Sequence, residues 1–146
     1  MKKDKSCPFC EPQLDSEQQI VFENEFCRYL QHPSHQTILE GSGLIVPKIH
    51  RQTVFDLTPE EWAATYELMQ QVKAFADDNY APDGYTLGWN VGEASNQSIQ
   101  HAHFHILPRF ADEPYAGKGI RAWFNRKTED LEDKFAEILL IDRKQQ

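Results

Sequence analysis

At 146 residues, with 40% hydrophobic and 26% charged residues, the chain has the composition of one globular domain with a real core and no room for two independent ones. A net charge of −8 excludes a nucleic-acid polymer as partner, because binding along a phosphate backbone needs a dominant basic surface; small anions stay open. The longest apolar run, Ile138 to Ile141, is too short to cross a membrane, and Met1 to Cys7 holds no apolar signal core, which predicts a cytoplasmic protein. Three cysteines, an odd number, suit a reducing compartment better than a disulfide framework.

In chain order, the first feature is Cys7-Pro8-Phe9-Cys10, a Cys-x2-Cys knuckle whose spacing lets two thiolates converge on one tetrahedral metal. One knuckle is half a site. A redox pair and two idle cysteines are the competing readings, the first weakened because no strand precedes the motif. Ile20-Val21-Phe22 and Phe26 to Leu30 flank Glu23-Asn24-Glu25, which predicts two antiparallel strands and a tight turn, with Cys27 a buried hydrophobe. In His32-Pro33-Ser34-His35 the proline is read as excluding a helix, so both histidines fall in a surface loop where one could edge a pocket.

Gly43 to Pro47 predicts a buried strand, and His50 follows its end. Thr58-Pro59-Glu60-Glu61 carries the start signals of a long helix whose apolar face is read as Trp62, Tyr66, Met69, Val72 and Ala76. Ala81 to Gly84 ends it. Tyr85 to Asn90 alternates as a strand, Val91 to Asn96 turns, and Gln97 to Leu107 is read as a second, antiparallel strand. Beyond Pro108 comes a loop with a basic bias from Arg109 to Lys127, read either as an anion contact or as a solvated surface, and then a last helix from Thr128 with Leu131, Phe135, Ile138 and Leu139 on one face.

Within that second strand His101, His103 and His105 alternate with Ala102, Phe104 and Ile106, so the histidines share one face and the apolar residues the other. Histidine is the residue of nucleophilic, acid-base and metal chemistry, and half of the chain's six stand in this row.

These residues resemble the histidine triad (HIT) superfamily, whose signature of three alternating histidines and two apolar residues is matched from His101 to Leu107. Asn90, Gly92, Gln97 and Ser98 stand at the family's offsets before the triad, and Leu44-Ile45-Val46-Pro47-Lys48-x-His50 resembles its strand ending in proline and histidine. The resemblance implies a single α+β domain over 1–146: a HIT-like fold with a mainly antiparallel sheet of about five strands, one long helix and a C-terminal helix. Within it 1–12 would be a zinc knuckle and 111–146 the C-terminal loop and helix. A homodimer acting on a small nucleotide substrate is implied with it.

By the same correspondence His103 would attack the α-phosphorus and form a nucleotidyl-histidine that water hydrolyses. His105, Gln97 and Ser98 would steady the phosphoryl charge, and Asn90 and Asn96 would join them in holding the nucleotide. One branch of the family completes its knuckle with the histidine after the proline strand and the first triad histidine, which implies a structural zinc at Cys7, Cys10, His50 and His101. The chain departs from many members at Asn96, where they carry a second glycine; it keeps His105, unlike the uridylyltransferase branch, and His105 to Arg109 resembles the dinucleoside polyphosphate hydrolases. A nucleotide-binding regulator and a catalytic-zinc hydrolase remain as other readings of the same residues.

Overall fold

The hairpin predicted near the N-terminus is present, and one side chain builds its turn. In the computed structural model, which describes residues 4–125 and Ile138, β1 (Gln19–Glu23) pairs antiparallel with β2 (Cys27–Gln31). Asn24 Oδ1 accepts from the backbone N–H groups of Phe26 and Cys27 at 3.2 and 2.9 Å, the self-bonding that makes asparagine a turn residue. Its Nδ2 donates to the Ala64 carbonyl at 2.9 Å, which ties the turn to the long helix.

β3 (Gly43–Pro47), β4 (Gly84–Trp89) and β5 (Phe104–Arg109) complete a five-stranded sheet in the order β1-β2-β3-β5-β4, antiparallel throughout. Strand β5 starts at Phe104 rather than at Gln97 as predicted, because β3 pairs with it only through Gly43 to Ile45. Upstream the chain leaves the sheet and is held elsewhere: the Ala102 N–H donates to the Arg51 carbonyl at 2.7 Å. The alternation nevertheless holds, and Ala102, Phe104 and Ile106 are buried in the core as expected.

Helix α2 (Pro59–Tyr80) begins at the predicted capping box, with Thr58 Oγ1 accepting from the Glu61 N–H at 3.1 Å and Glu61 Oε1 accepting from the Thr58 N–H at 2.8 Å. Its buried face includes the predicted Val72 and Ala76, with Met69 packed against the core, but not Trp62 or Tyr66. Ala64, Leu68 and Val72 pack on Cys27, Tyr29, Ile45, Phe104 and Ile106, and Thr65 and Ala76 are also buried, whereas Trp62 and Tyr66 are 55% and 59% exposed. The reading also placed the large Trp62 and Tyr66 inward, but the small side chains of Ala64 and Thr65 occupy that position and let the helix lie close to the sheet. Cys27 is fully buried as expected, which pushes its thiol up to about 11.

Pro33 does not exclude a helix but opens one: α1 (Pro33–Gln36) has proline at its first turn and His32 as N-cap. The sheet face away from α2 carries a second core, in which Cys7, Phe9 and Cys10 pack on Leu30 and Val46. These elements belong to a unit spanning Met1–Ala116; a second unit, Gly117–Gln146, contains the short helical segment Ile120–Asn125, where Arg121 lies 5.1 Å over the Phe124 ring. The predicted last helix lies outside the described residues, apart from Ile138. No described helix is long and apolar enough to cross a membrane.

Candidate functional site

Two backbone carbonyls decide what the triad histidines can do. His101 is completely buried, and its Nε2 lies 2.8 Å from the Pro47 carbonyl at the end of β3. A carbonyl can only accept, so Nε2 carries the proton and Nδ1 presents a lone pair. That lone pair faces Cys7 Sγ and Cys10 Sγ, each at 3.4 Å, and His50 Nδ1 at 3.2 Å, while Cys10 Sγ is 3.2 Å from His50 Nδ1. The four donor atoms all lie within 4.8 Å of one another.

Zinc holds thiolates at about 2.3 Å and imidazoles at about 2.0–2.1 Å, which spaces tetrahedral ligands roughly 3.3–3.8 Å apart, so the set fits one such ion. Its surroundings agree with its spacing. The Asp4 N–H points at Cys10 Sγ at 3.4 Å, and the Pro47 carbonyl orients His101, as outer partners do around a metal. Burial pushes the Cys10 thiol up to about 11 and holds His101 down at about 4, with the nearby His50 adding to the latter.

His103 is the second decided histidine. Its Nδ1 donates to the His101 carbonyl at 2.8 Å, which leaves Nε2 unprotonated with a free lone pair. Burial lowers its pKa, partly offset by that hydrogen bond, so the ring is neutral at pH 7. Phe9 of the knuckle packs against both rings, 5.7 Å from that of His101 and 5.2 Å from that of His103.

His103 and His105 line one cavity of about 330 Å³ whose apolar walls include Phe9, Leu30, Leu44 and Ile99, with Ser98, His32 and Asp15 among its polar residues. Its volume and its mix of apolar wall and few polar groups suit a small organic ligand. His105 Nε2 is 3.5 Å from Asn90 Nδ2. Burial, then the neighbouring His103 and His35, push the His105 ring down to about 4. Because that lies below the unfolded value of about 6.5, the stability it contributes is complete above pH 6.5 and lost as pH falls towards 4. An NMR titration should therefore find the His105 midpoint near 4, and a midpoint at or above 6.5 would contradict the burial argument.

A HIT domain model matches residues 13–112. The chain belongs to the HIT family. Cys7 and Cys10 lie outside the matched stretch. Among its relatives, bis(5'-adenosyl)-triphosphatase of Dictyostelium discoideum is 30% identical over 98 residues, 67% of this chain and 64% of that one. Adenosine 5'-monophosphoramidase of Schizosaccharomyces pombe is 32% identical over 81 residues, 55% of this chain and 57% of that one. The chain thus spans less than two thirds of the length of these curated relatives. A HIT family member from Bacillus subtilis superposes with a TM-score of 0.68 at 26% identity, covering 92% of this chain and 96% of that one. A Zn-bound histidine triad protein from Mycobacterium smegmatis gives 0.63 at 25% identity, with 78% and 82% covered.

Seen as a HIT site, the sequence-predicted residues divide by position. His103, His105 and Ser98 line the cavity, and Asn90 reaches it through His105. The buried Gln97 instead bonds backbone on all sides: Nε2 donates to the carbonyls of Gln52 at 2.7 Å and Ile99 at 3.1 Å, and Oε1 accepts from the Gly92 N–H at 2.9 Å. Asn96, at the family's glycine position, has φ 62° and ψ 39°, the left-handed conformation that asparagine tolerates best after glycine. Arg109 serves its own loop, donating to Glu113, Thr86 Oγ1 and the Tyr115 carbonyl. Sequence reasoning passed over Phe9 and Asp15 as cavity residues; for Phe9 the one signal was an aromatic inside the knuckle.

Proposed function

We propose that this chain is a nucleotide hydrolase that cleaves a nucleotide conjugate at its α-phosphate through a covalent intermediate on His103. The single observation carrying this reading is the His103 tautomer: a buried neutral ring, fixed by the 2.8 Å bond to the His101 carbonyl, with Nε2 left for attack in a nucleotide-sized cavity. The Nε2 lone pair forms a bond to phosphorus as the bond to the leaving group breaks, and that group departs with the electron pair and takes a proton from solvent. Water then adds to phosphorus, the His103–phosphorus bond returns its pair to Nε2, and the water's proton is released.

Ser98 and His105 are placed to hydrogen-bond the phosphoryl oxygens, with Asn90 orienting His105. Gln97 and Asn96 act one step back, by holding the 92–99 loop in shape. We assign zinc to Cys7, Cys10, His50 and His101 as a structural ion. When bound it supplies a fixed charge and geometry; four protein ligands complete a tetrahedral set and leave no open position, which favours this reading over a catalytic metal. The zinc-bound relative supports it.

A homodimer is the reading that best suits the exposed Trp62, Tyr66 and Leu87, which lie on α2 and on β4, a strand at the end of the sheet order. Light scattering should give twice the chain mass, and the mass of one chain at micromolar concentration would contradict it. The test of the activity itself is release of nucleoside monophosphate by zinc-loaded protein from adenosine phosphoramidate and from diadenosine tri- and tetraphosphate. Release is expected; tight binding without release would leave a nucleotide-binding module instead.

A further inference from the structure

The peptide unit between His101 and Ala102 is held at both ends. Its carbonyl accepts from His103 Nδ1 at 2.8 Å, and its N–H donates to the Arg51 carbonyl at 2.7 Å. The peptide is trans, a rigid plane in which C=O and N–H point opposite ways, so fixing the N–H also fixes the direction of the carbonyl. Strand pairing does not reach this plane, because β3 and β4 pair with β5 only from Phe104 onward. The Arg51 carbonyl stands in for the missing sheet neighbour. A donated N–H also polarises its own peptide, which makes the His101 carbonyl a better acceptor for the His103 proton.

Arg51 is held in turn by a carboxylate. Glu61 is 2% exposed, and its two oxygens lie 2.9 and 3.3 Å from Arg51 Nε. A carboxylate so far from water costs free energy unless its charge is met, and the guanidinium meets it. Glu61 is also the N3 residue of the α2 capping box, which fixes it to the helix. The cap needs an acceptor but not a charge, and glutamine serves that position as well; the charge is required by the pairing with Arg51. The next carbonyl, that of Gln52, accepts from Gln97 Nε2 at 2.7 Å, so Arg51 and Gln52 together grip the triad segment and the loop before it.

We propose that Arg51, anchored by Glu61, is a positioning residue that aims the His101 carbonyl at His103 and so sets its tautomer. This rests on the reading of His103 as the nucleophile. Neither Arg51 nor Glu61 lines the cavity that holds His103 and His105, so neither touches the substrate. The path runs from the start of α2 through the Glu61 carboxylate, the Arg51 guanidinium and main chain, and the 101–102 peptide to the His103 ring. Loosening the ion pair lets that peptide turn, and the ring then samples orientations and tautomers in which Nε2 has no lone pair aimed at phosphorus. The cavity walls are unchanged, so the nucleotide still binds.

The test compares zinc-loaded wild type with Arg51→Met combined with Glu61→Gln, a pair that leaves no buried charge unmet and keeps the acceptor for the Thr58 N–H. On adenosine 5'-phosphoramidate the double variant is expected to lose about tenfold in kcat with KM within about twofold, since misplacing a reacting group by about 1 Å costs up to about 10²-fold. Proton NMR on chains with labelled histidine should show the His103 Nδ1–H as a slowly exchanging signal in wild type and as a broadened or lost one in the double variant, with zinc content unchanged. If the double variant does not fold, Glu61→Gln alone is expected to show the same split. The proposal requires both changes together: a fall in kcat with the His103 signal intact, or a lost signal with kcat intact, overturns it. So does a rise in KM at constant kcat, or a rate that falls only in step with zinc content or the thermal transition in both variants. Wild type that releases no nucleoside monophosphate removes the hydrolase reading, and the His103 signal then decides the positioning by itself.

Discussion

Replacing His103 with alanine lowers nucleoside monophosphate release by about 10⁴-fold or more, because the covalent route loses its only nucleophile while the binding walls stay in place. The fold should tolerate the change. His103 gives its Nδ1 proton to a carbonyl of its own segment and is not among the four donors of the metal set. Zinc content and the thermal transition are therefore expected to remain near wild type, and the nucleotide to bind with similar affinity. A variant that keeps a tenth or more of the wild-type rate would show that another group, or metal-bound water, carries the reaction. His105→Ala provides the contrast: the nucleophile remains, so a smaller loss is expected, of about 10²-fold, in line with removal of one hydrogen-bond donor at a phosphoryl group.

Removing the metal has the second large effect, on stability as well as on rate. Cys7, Phe9 and Cys10 form most of the core on the triad's side of the sheet, and without a cation four polar donors, three of them buried, stand against one another. A ligand that binds only the folded chain stabilises it by about 4 kcal/mol at a thousandfold excess over its dissociation constant, so chelation should lower the unfolding free energy by that order. Activity should fall in parallel, because the His101 carbonyl that fixes the His103 tautomer and the Phe9 ring that packs against both histidines are held by the knuckle. Cys7→Ser with Cys10→Ser is expected to copy chelation. Metal analysis that finds no zinc in the purified chain, or stability unmoved by the double substitution, would contradict the assignment.

Local patterns in the sequence carried much of this structure. The Thr58 and Glu61 capping box, the β1–β2 hairpin around Asn24 and the alternation of histidine with core residues each depend on neighbours a few positions away. Where the outcome depended on distant partners, the sequence was a poorer guide. Which stripe of α2 faces the sheet depended on how closely Ala64 and Thr65 could approach Cys27 and Tyr29. The start of β5 depended on where β3 diverges, and there the His101 ring, rather than backbone pairing, reaches Pro47. Pro33 was read as a breaker although the same residue is favoured in a first helical turn.

The site divides in the same way. The four residues that could hold a metal and the triad were visible as motifs, and the structure brings Cys7, Cys10, His50 and His101 within one coordination shell's width. The tautomers of His101 and His103 were not readable, because each is set by a carbonyl whose position only the fold defines.

The most direct test is to stop the reaction on the millisecond scale with acid-free denaturant and measure the intact mass and modified peptide of the zinc-loaded wild-type chain. One nucleoside monophosphate attached through His103, absent from His103→Ala, is the predicted result. Turnover with no adduct at any time, or an adduct on another residue, would contradict attack by His103.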